Sequence, residues 1–292
     1  MRNVSKGMRK FLILLAVAAL PAVLCPTMAV ATPILGSAQS FAVLGHETVT
    51  NAHSDPNPTT QVYGDLGVTP GTSVTGFYPD GTVSGGTIHI NDGVAQLAMA
   101  DATNAYNALA GLAFTYDYSG VVLGSAGYET LVPGVYNFNS SAQLTGSLTL
   151  DFQGNPDTVF IFQIGSTLTT ASNSSVNVIN GGPLSGVYWQ VGSSATLGED
   201  TTFAGNILAL ASVGLDPRAE ILCGRAFALT GAVTLTDNLI SNDNTAEDFG
   251  SGRSDFGSYG FSGGVIPEPA SILLLGLGIA GLVARRIKPQ TV

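Results

Sequence analysis

The chain has 292 residues and carries Lys+Arg 10 against Asp+Glu 20, a formal net charge of −10, with only 10% of residues charged; about 25% is usual for a globular domain. Residues 32–266 hold three arginines (Arg218, Arg225, Arg253), no lysine, and 19 of the 20 acids. A surface this poor in cations cannot neutralise a run of phosphates, which excludes nucleic-acid binding, and it lacks the mixed charge of a cytoplasmic enzyme.

Residues 1–31 read as a secretory signal peptide. Arg9 and Lys10 close a basic start, residues 11–20 are apolar, and Ala29-Val30-Ala31 supplies a small-x-small cleavage site. Loss of Cys25 with this leader leaves Cys223 as the single mature cysteine. The exported domain, expected over residues 32–248, must therefore be held by its own core and not by disulfides. About 220 residues suffice for a single domain of that kind.

Over residues 92–110 apolar residues fall at Val94, Leu97, Ala98, Ala102, Ala105 and Leu109, a helical spacing that gives one face. Asn91 or Asp92 can cap its start and Gly111 suits its end. The Ala-rich face predicts a helix lying close against a flat sheet, as a packing element.

Beyond the helix, segments of one character recur. Phe162-Gln163-Ile164-Gly165-Ser166 and Trp189-Gln190-Val191-Gly192-Ser193 match as aromatic-Gln-aliphatic-Gly-Ser, 27 residues apart. Tyr136-Asn137-Phe138 precedes them and Leu208-Ala209-Leu210 follows, with intervals of 24 from Phe138 to Phe162 and 19 from Trp189 to Leu208. Further strands are expected at 144–150, 168–178 and 226–235. Apolar/polar alternation ending in small turn formers is the mark of a half-buried strand. Self-similarity at this period favours a β-solenoid, in which each coil buries its apolar face against the next. A β-sandwich is the alternative.

Chemistry-bearing residues are sparse. His46, His53 and His89 match no metal-ligand spacing; they read as loop or strand-end residues, and no metal or other cofactor is expected. Cys223 has no histidine near it in sequence and reads as a small buried residue. Asp151, Asp157, Glu199, Asp200, Asp243, Glu247 and Asp248 fit no calcium-loop pattern and read as turn residues. A glycan-cleaving enzyme needs acids clustered with Arg, Lys or His. Only Arg218 and Arg225 fall in the repeats, so no catalytic residue is assigned and the protein is read as a non-enzyme.

What remains is a recurrence of small hydroxyl and methyl groups. Strands stack about 4.8 Å apart, and alternate residues share a face about 6.8 Å apart. Outward Thr, Ser and Ala at those positions form a flat uncharged array that can order water. Thr145, Thr170, Ser172, Asn173, Ser194, Thr196 and Thr230 are the candidates for such a face. The same residues also serve simply as β-favouring surface positions.

Residues 249–266 are Gly/Ser-rich and read as a flexible linker. Pro267-Glu268-Pro269, the apolar run 270–284 and Arg285-Arg286 follow. A 15-residue apolar run with a basic stop fits a membrane-anchoring helix. The order of these features over 267–288 resembles the PEP-CTERM sorting signal. That resemblance implies a Gram-negative exporter, processing by an exosortase near Pro267, and a destination at the outer surface or in the extracellular matrix.

The ordered motifs of the domain resemble the ice-binding-like family of bacterial and fungal antifreeze and adhesive proteins. They run from Leu35-Gly36-Ser37-Ala38 and Phe41-Ala42-Val43-Leu44-Gly45 through Gly64-Asp65-Leu66-Gly67-Val68-Thr69-Pro70-Gly71 and Ala105-Tyr106. Pro133-Gly134-Val135-Tyr136, Phe160-Ile161-Phe162-Gln163, Trp189-Gln190-Val191-Gly192, Gly224-Arg225-Ala226 and Gly231-Ala232-Val233-Thr234-Leu235 complete the set. The resemblance implies an irregular right-handed β-solenoid of triangular section with one long helix alongside, its first and last coils adjacent. It also implies one flat face that meets ice or ordered water. Of the Thr-Ala/Gly-x-Thr/Asn pattern that marks this face in some members, Thr170-Ala171-Ser172-Asn173 fits in full. Thr145-Gly146-Ser147-Leu148 and Thr230-Gly231-Ala232-Val233 fit only its first half. The alternative function on the same fold is a structural or adhesive protein of an exopolysaccharide matrix.

Overall fold

The computed structural model describes residues 34–52, 60–242 and 254–263. The leader, His53, Asp243, Glu247, Asp248 and the sorting segment with its apolar run 270–284 lie outside them. Among the described residues, no helix is long and apolar enough to cross a membrane.

The chain is mostly β, and its named strands pair in parallel in three ladders. The first ladder runs, in spatial order, through Ile88–Ile90, Asp65–Val68, Phe41–Gly45, Glu220–Ala228, Thr202–Ala209, Gly186–Val191, Val159–Ile164, Gly134–Phe138 and Tyr116–Asp117. The second runs through Ser73–Thr75, Thr48–Asn51, Val233–Leu235, Val213–Leu215, Ala195–Leu197, Leu168–Thr170, Ala142–Leu144 and Val122–Leu123. The third joins Gly81–Ser84, Thr60–Tyr63 and Leu239–Ser241 to the leading halves of Glu220–Ala228 and Thr202–Ala209, then to Ser175–Ile179, Ser147–Asp151 and Thr130–Leu131.

Each coil thus gives one strand to each ladder. The two long strands serve both the third and the first, turning the corner at Gly205 and Gly224, whose φ values are +101° and +159°. A Cβ on Gly224 would stand 2.0 Å from the Gly205 carbonyl oxygen, so only glycine lets these coils close up there. The coil at 41–63 pairs on one side with 220–241 and on the other with 65–84. The first coils therefore lie beside the last, and the helix carries the chain back to the far end.

The expected strands 144–150, 168–178 and 226–235 are each cut by a corner. Leu168–Thr170 and Ser175–Ile179, for example, belong to different ladders. The 27-residue repeat is a true register, since Phe162 pairs with Trp189 and Gln163 with Gln190. The other two intervals are corrected. Phe138 pairs with Ile164, and Trp189 pairs with Ile207 and not Leu208. A one-residue slip reverses every side chain. Ile207 lies in the interior beneath Trp189, whereas Leu208 faces the helix.

Inside the coils, aromatic rings stack along the axis. Phe162 and Trp189 lie face to face, 3.8 Å between centroids and 8° apart in plane, and Trp189 Nε1 donates to the Ala204 carbonyl at 3.1 Å. A second apolar layer joins the first ladder to the helix, with Leu44, Ile161, Tyr188, Leu208 and Phe227 facing Ala98, Ala102, Ala105 and Leu109.

The helix spans Gly93–Ala110, and the Asp92 carboxylate caps it by accepting from the Ala95 N–H at 2.8 Å. Its buried face is rotated from the expected one. Ala95 and Met99 are buried, while Val94 and Leu97 are 50% and 57% exposed. Small residues win the contact because they let the helix axis approach a sheet already crowded with Tyr188 and Phe227. Gly111 has φ −83° and so does not use the left-handed conformation. Instead Gln163 Nε2 reaches from the sheet to the end carbonyls of Leu109 and Leu112, at 2.7 and 2.8 Å.

The Gly/Ser-rich stretch, expected as a flexible linker, contains an ordered segment. Residues 254–263 form a packed strap in which Asp255, Ser258, Phe261 and Ser262 are buried. Its carbonyls at Tyr259 and Gly260, with that of Gln39 and the Asn206 Oδ1, accept hydrogen bonds from the fully buried Arg225 guanidinium at 2.6–3.1 Å. Burial lowers the Arg225 pKa to about 10, which leaves it charged at neutral pH.

Candidate functional face

Among the described residues, the second ladder is the one whose outer side carries neither helix nor strap. Most of its strands are three residues long and alternate inward, outward, inward, so each presents one central side chain. Register aligns these into a single row: Val122, Gln143, Thr169, Thr196, Gly214, Thr234, Thr50 and Thr75. At the usual strand spacing the row is about 34 Å long. Thr50 and Thr75 hydroxyls lie 3.4 Å apart. Two positions earlier on each coil, a parallel row holds Ser141, Thr167, Ser194, Ser212, Ala232, Thr48 and Ser73. In it Thr167 donates to Ser141 at 2.8 Å, and the Ser212 N–H donates to Ser194 Oγ at 3.3 Å.

Inward residues beneath the row (Leu123, Ala142, Leu144, Leu168, Ala195, Leu197, Val213, Leu215, Val233, Leu235) are all buried. They hold the strands at fixed height. The result is a flat, uncharged surface of methyls and hydroxyls at two regular spacings.

The sequence candidates divide against this surface. Thr196 stands exposed in the row, and Ser194 is half-buried in the row beside it. Thr145 is exposed just past the end of Ala142–Leu144, at the rim. Ser172 and Asn173 sit in a corner turn, where Asn173 takes φ +60°. Thr230 lies in the turn before Val233–Leu235 and donates to the Leu210 carbonyl at 2.5 Å. Thr170 is a correction: it is 3% exposed and points inward, its hydroxyl 2.8 Å from both Thr201 Oγ1 and the Gly198 N–H.

Gln143, Thr169, Thr234, Thr50 and Thr75 were not among the candidates. The signal for them is the tripeptide in which one residue separates two inward ones, as in Leu168-Thr169-Thr170 and Val233-Thr234-Leu235. Thr50 and Thr75 join the row only because the first coils pack beside the last.

Groups with perturbed ionisation lie elsewhere and have structural partners. His89 Nδ1 meets Asp92 at 2.8 Å. The Ala95 N–H and then His89 hold the Asp92 carboxyl below its ordinary range. Glu199 and Asp200, expected as solvated turn acids, pair with Arg218 at 2.5 and 2.7 Å. Arg218 lowers the Asp200 pKa. Among the described residues, no group of three or more His, Cys, Asp or Glu could hold a metal. Cys223 is buried inside the coils.

Residues 43–241 match the ice-binding-like family, and residues 265–287 match the PEP-CTERM protein-sorting motif. The chain is 45% identical over 276 residues to an ice-binding protein of Nostoc sp. (strain HG1), covering 94% of each. A solved ice-binding protein from an Antarctic biological consortium superposes with a TM-score of 0.65 at 42% identity, over 72% of this chain and 91% of that one. The ice-binding protein of the Antarctic ascomycete Antarctomyces psychrotrophicus gives 0.64 at 39% identity, over 72% and 98%.

Proposed function

Because the chain belongs to the ice-binding-like family, we propose that it is an ice-binding, antifreeze-like protein that adsorbs to ice through the outer side of its second ladder. The observation that carries this is the row from Gln143 to Thr75, extended by its Ser/Thr neighbours on one uncharged plane. Methyl groups there exclude liquid water while hydroxyls 3.4 Å or less from a neighbour anchor the molecules between them. A water layer already spaced by the protein joins a crystal lattice at little further ordering cost. Burial of the strands beneath preorganises the plane, which lowers the entropic cost of adsorption.

The same reading takes the three-ladder stack as a right-handed β-solenoid of triangular section. It takes the chain as exported through residues 1–31 and sorted by Pro267, Glu268, Pro269 and Arg285-Arg286, with the run 270–284 as a membrane anchor until an exosortase acts. Surface retention would place the plane where extracellular ice forms. No catalytic step is part of this reading.

Residues 32–264, which keep the strap, test it. Wild-type protein is expected to facet ice crystals and arrest recrystallisation at micromolar concentration. Thr169→Tyr and Thr234→Tyr, each raising a ring above the plane, are expected to lose at least tenfold in activity with unchanged melting temperature. Unshaped crystals with folded wild type would sink the ice reading, and binding to purified exopolysaccharide instead would select a matrix role.

A further inference from the structure

The strap fixes the position of Gly263, the last described residue before the sorting segment. It lies along the corner between the third and first ladders. Ser262 bridges Gly186, the Phe261 carbonyl accepts from Val187 N and Asn206 Nδ2 at 3.0 and 2.8 Å, and the Gly263 carbonyl accepts from Tyr188 Oη at 2.9 Å. Phe261 belongs to the interior cluster that holds Ala204 and Cys223, Phe256 packs against that cluster, and Arg225 clamps Tyr259 and Gly260 from beneath. Of the three corners of a coil, this is the one the second ladder does not touch. The threonine row and the exit at Gly263 are therefore on opposite sides of the stack.

Three residues separate Gly263 from Pro267, a reach of about 14 Å at full extension. Going round to the second ladder means crossing a whole face, of which Gly186–Val191 alone covers about 20 Å. We propose that the strap is a mounting device: a chain held by its sorting segment presents the threonine row away from the surface that holds it. The corner beside Gly263, where Leu184 is 52% exposed, faces that surface. Buried hydrogen bonds of this number resist undocking, so the orientation is built into the fold and does not depend on the ligand of the row. The inference rests on the sorting half of the proposed function and not on its ice half.

Full-length chains bearing Thr234→Cys or Leu184→Cys, exported by a Gram-negative host with an exosortase, test this. A membrane-impermeant maleimide is applied to intact cells and to the same protein released by detergent, with wild type as the control for buried Cys223. Thr234→Cys is expected to label equally fast in both preparations, and Leu184→Cys at least tenfold more slowly on cells. Equal rates for Leu184→Cys, slower labelling of Thr234→Cys on cells, or absence of cell-held protein would each overturn the mount. Ice shaping by the released wild type is scored separately. Its loss beside an intact labelling contrast would overturn the ice reading and leave the mount standing.

Discussion

Thr169 and Thr170 are chemically identical neighbours with opposite surroundings. Thr169 is exposed in the row, whereas Thr170 is inside the coil, bonded to Thr201 and Gly198. Replacing Thr170 by Val keeps its volume but strands the Gly198 N–H, while the Thr201 hydroxyl keeps only the Ala171 carbonyl at 3.3 Å. Leaving a buried polar group unsatisfied costs about 1–3 kcal/mol. Thr170→Val is expected to lower the unfolding free energy, read from the denaturation midpoint, by that amount while ice shaping is retained, the reverse of Thr169→Tyr. Loss of shaping without loss of stability would put Thr170 in the site. The phase that separates the two was readable, because Leu168 must point inward and alternation then sends Thr169 out. A four-residue pattern laid over Thr170-Ala171-Ser172-Asn173 ignored that phase and selected a corner.

At the level of the element, the row has one gap. Gly214 lies between Thr196 and Thr234 in register, its φ is not in the left-handed region, and a Cβ placed on it meets nothing within 4 Å. Gly214→Thr should therefore join two threonine runs into one. It is expected to raise recrystallisation inhibition, and also to stabilise the strand by up to about 1 kcal/mol, since glycine weakens a strand interior. A folded Gly214→Thr protein with wild-type or weaker activity would show that continuity of the row does not limit binding. The helix gives a parallel case. Its N-terminal cap and length were legible from Asp92 and the periodicity, but its face was not. Hydropathy favoured Leu97, whereas four of the six buried helix residues are Ala95, Ala98, Ala102 and Ala105. Ala102→Leu is expected to cost about 1–3 kcal/mol by overpacking, and Leu97→Lys less than about 0.5 kcal/mol, both read from urea midpoints.

The whole molecule separates what stabilises it from what it presents. The 27-residue repeat with its aromatic-Gln register and the helix at Gly93–Ala110 were legible, because each is local or periodic in sequence. The docking of the strap on Arg225 was not, and the adjacency of Thr50 to Thr234 followed only from the family resemblance, which implied first and last coils side by side. Both join segments far apart in the chain that no period links. Titration exposes the same separation. Tyr136 and Tyr188 are buried, and desolvation raises both above the ordinary phenol range. Their unfolded forms ionise near pH 10, so above that pH the native state binds more protons than the unfolded state. Stability from these groups is then complete below about pH 10 and is lost as pH rises beyond it. Every side chain of the central row, by contrast, is Thr, Gln, Val or Gly and has no titratable proton in this range. Ice shaping is expected to stay level from pH 6 to 9, and the melting temperature to fall once pH passes about 10. The midpoint of that fall should move when Tyr136 is replaced by Phe. A change in shaping activity between pH 6 and 9, in protein whose melting temperature is constant, would mean that ionisable groups outside the row contribute to the contact with ice.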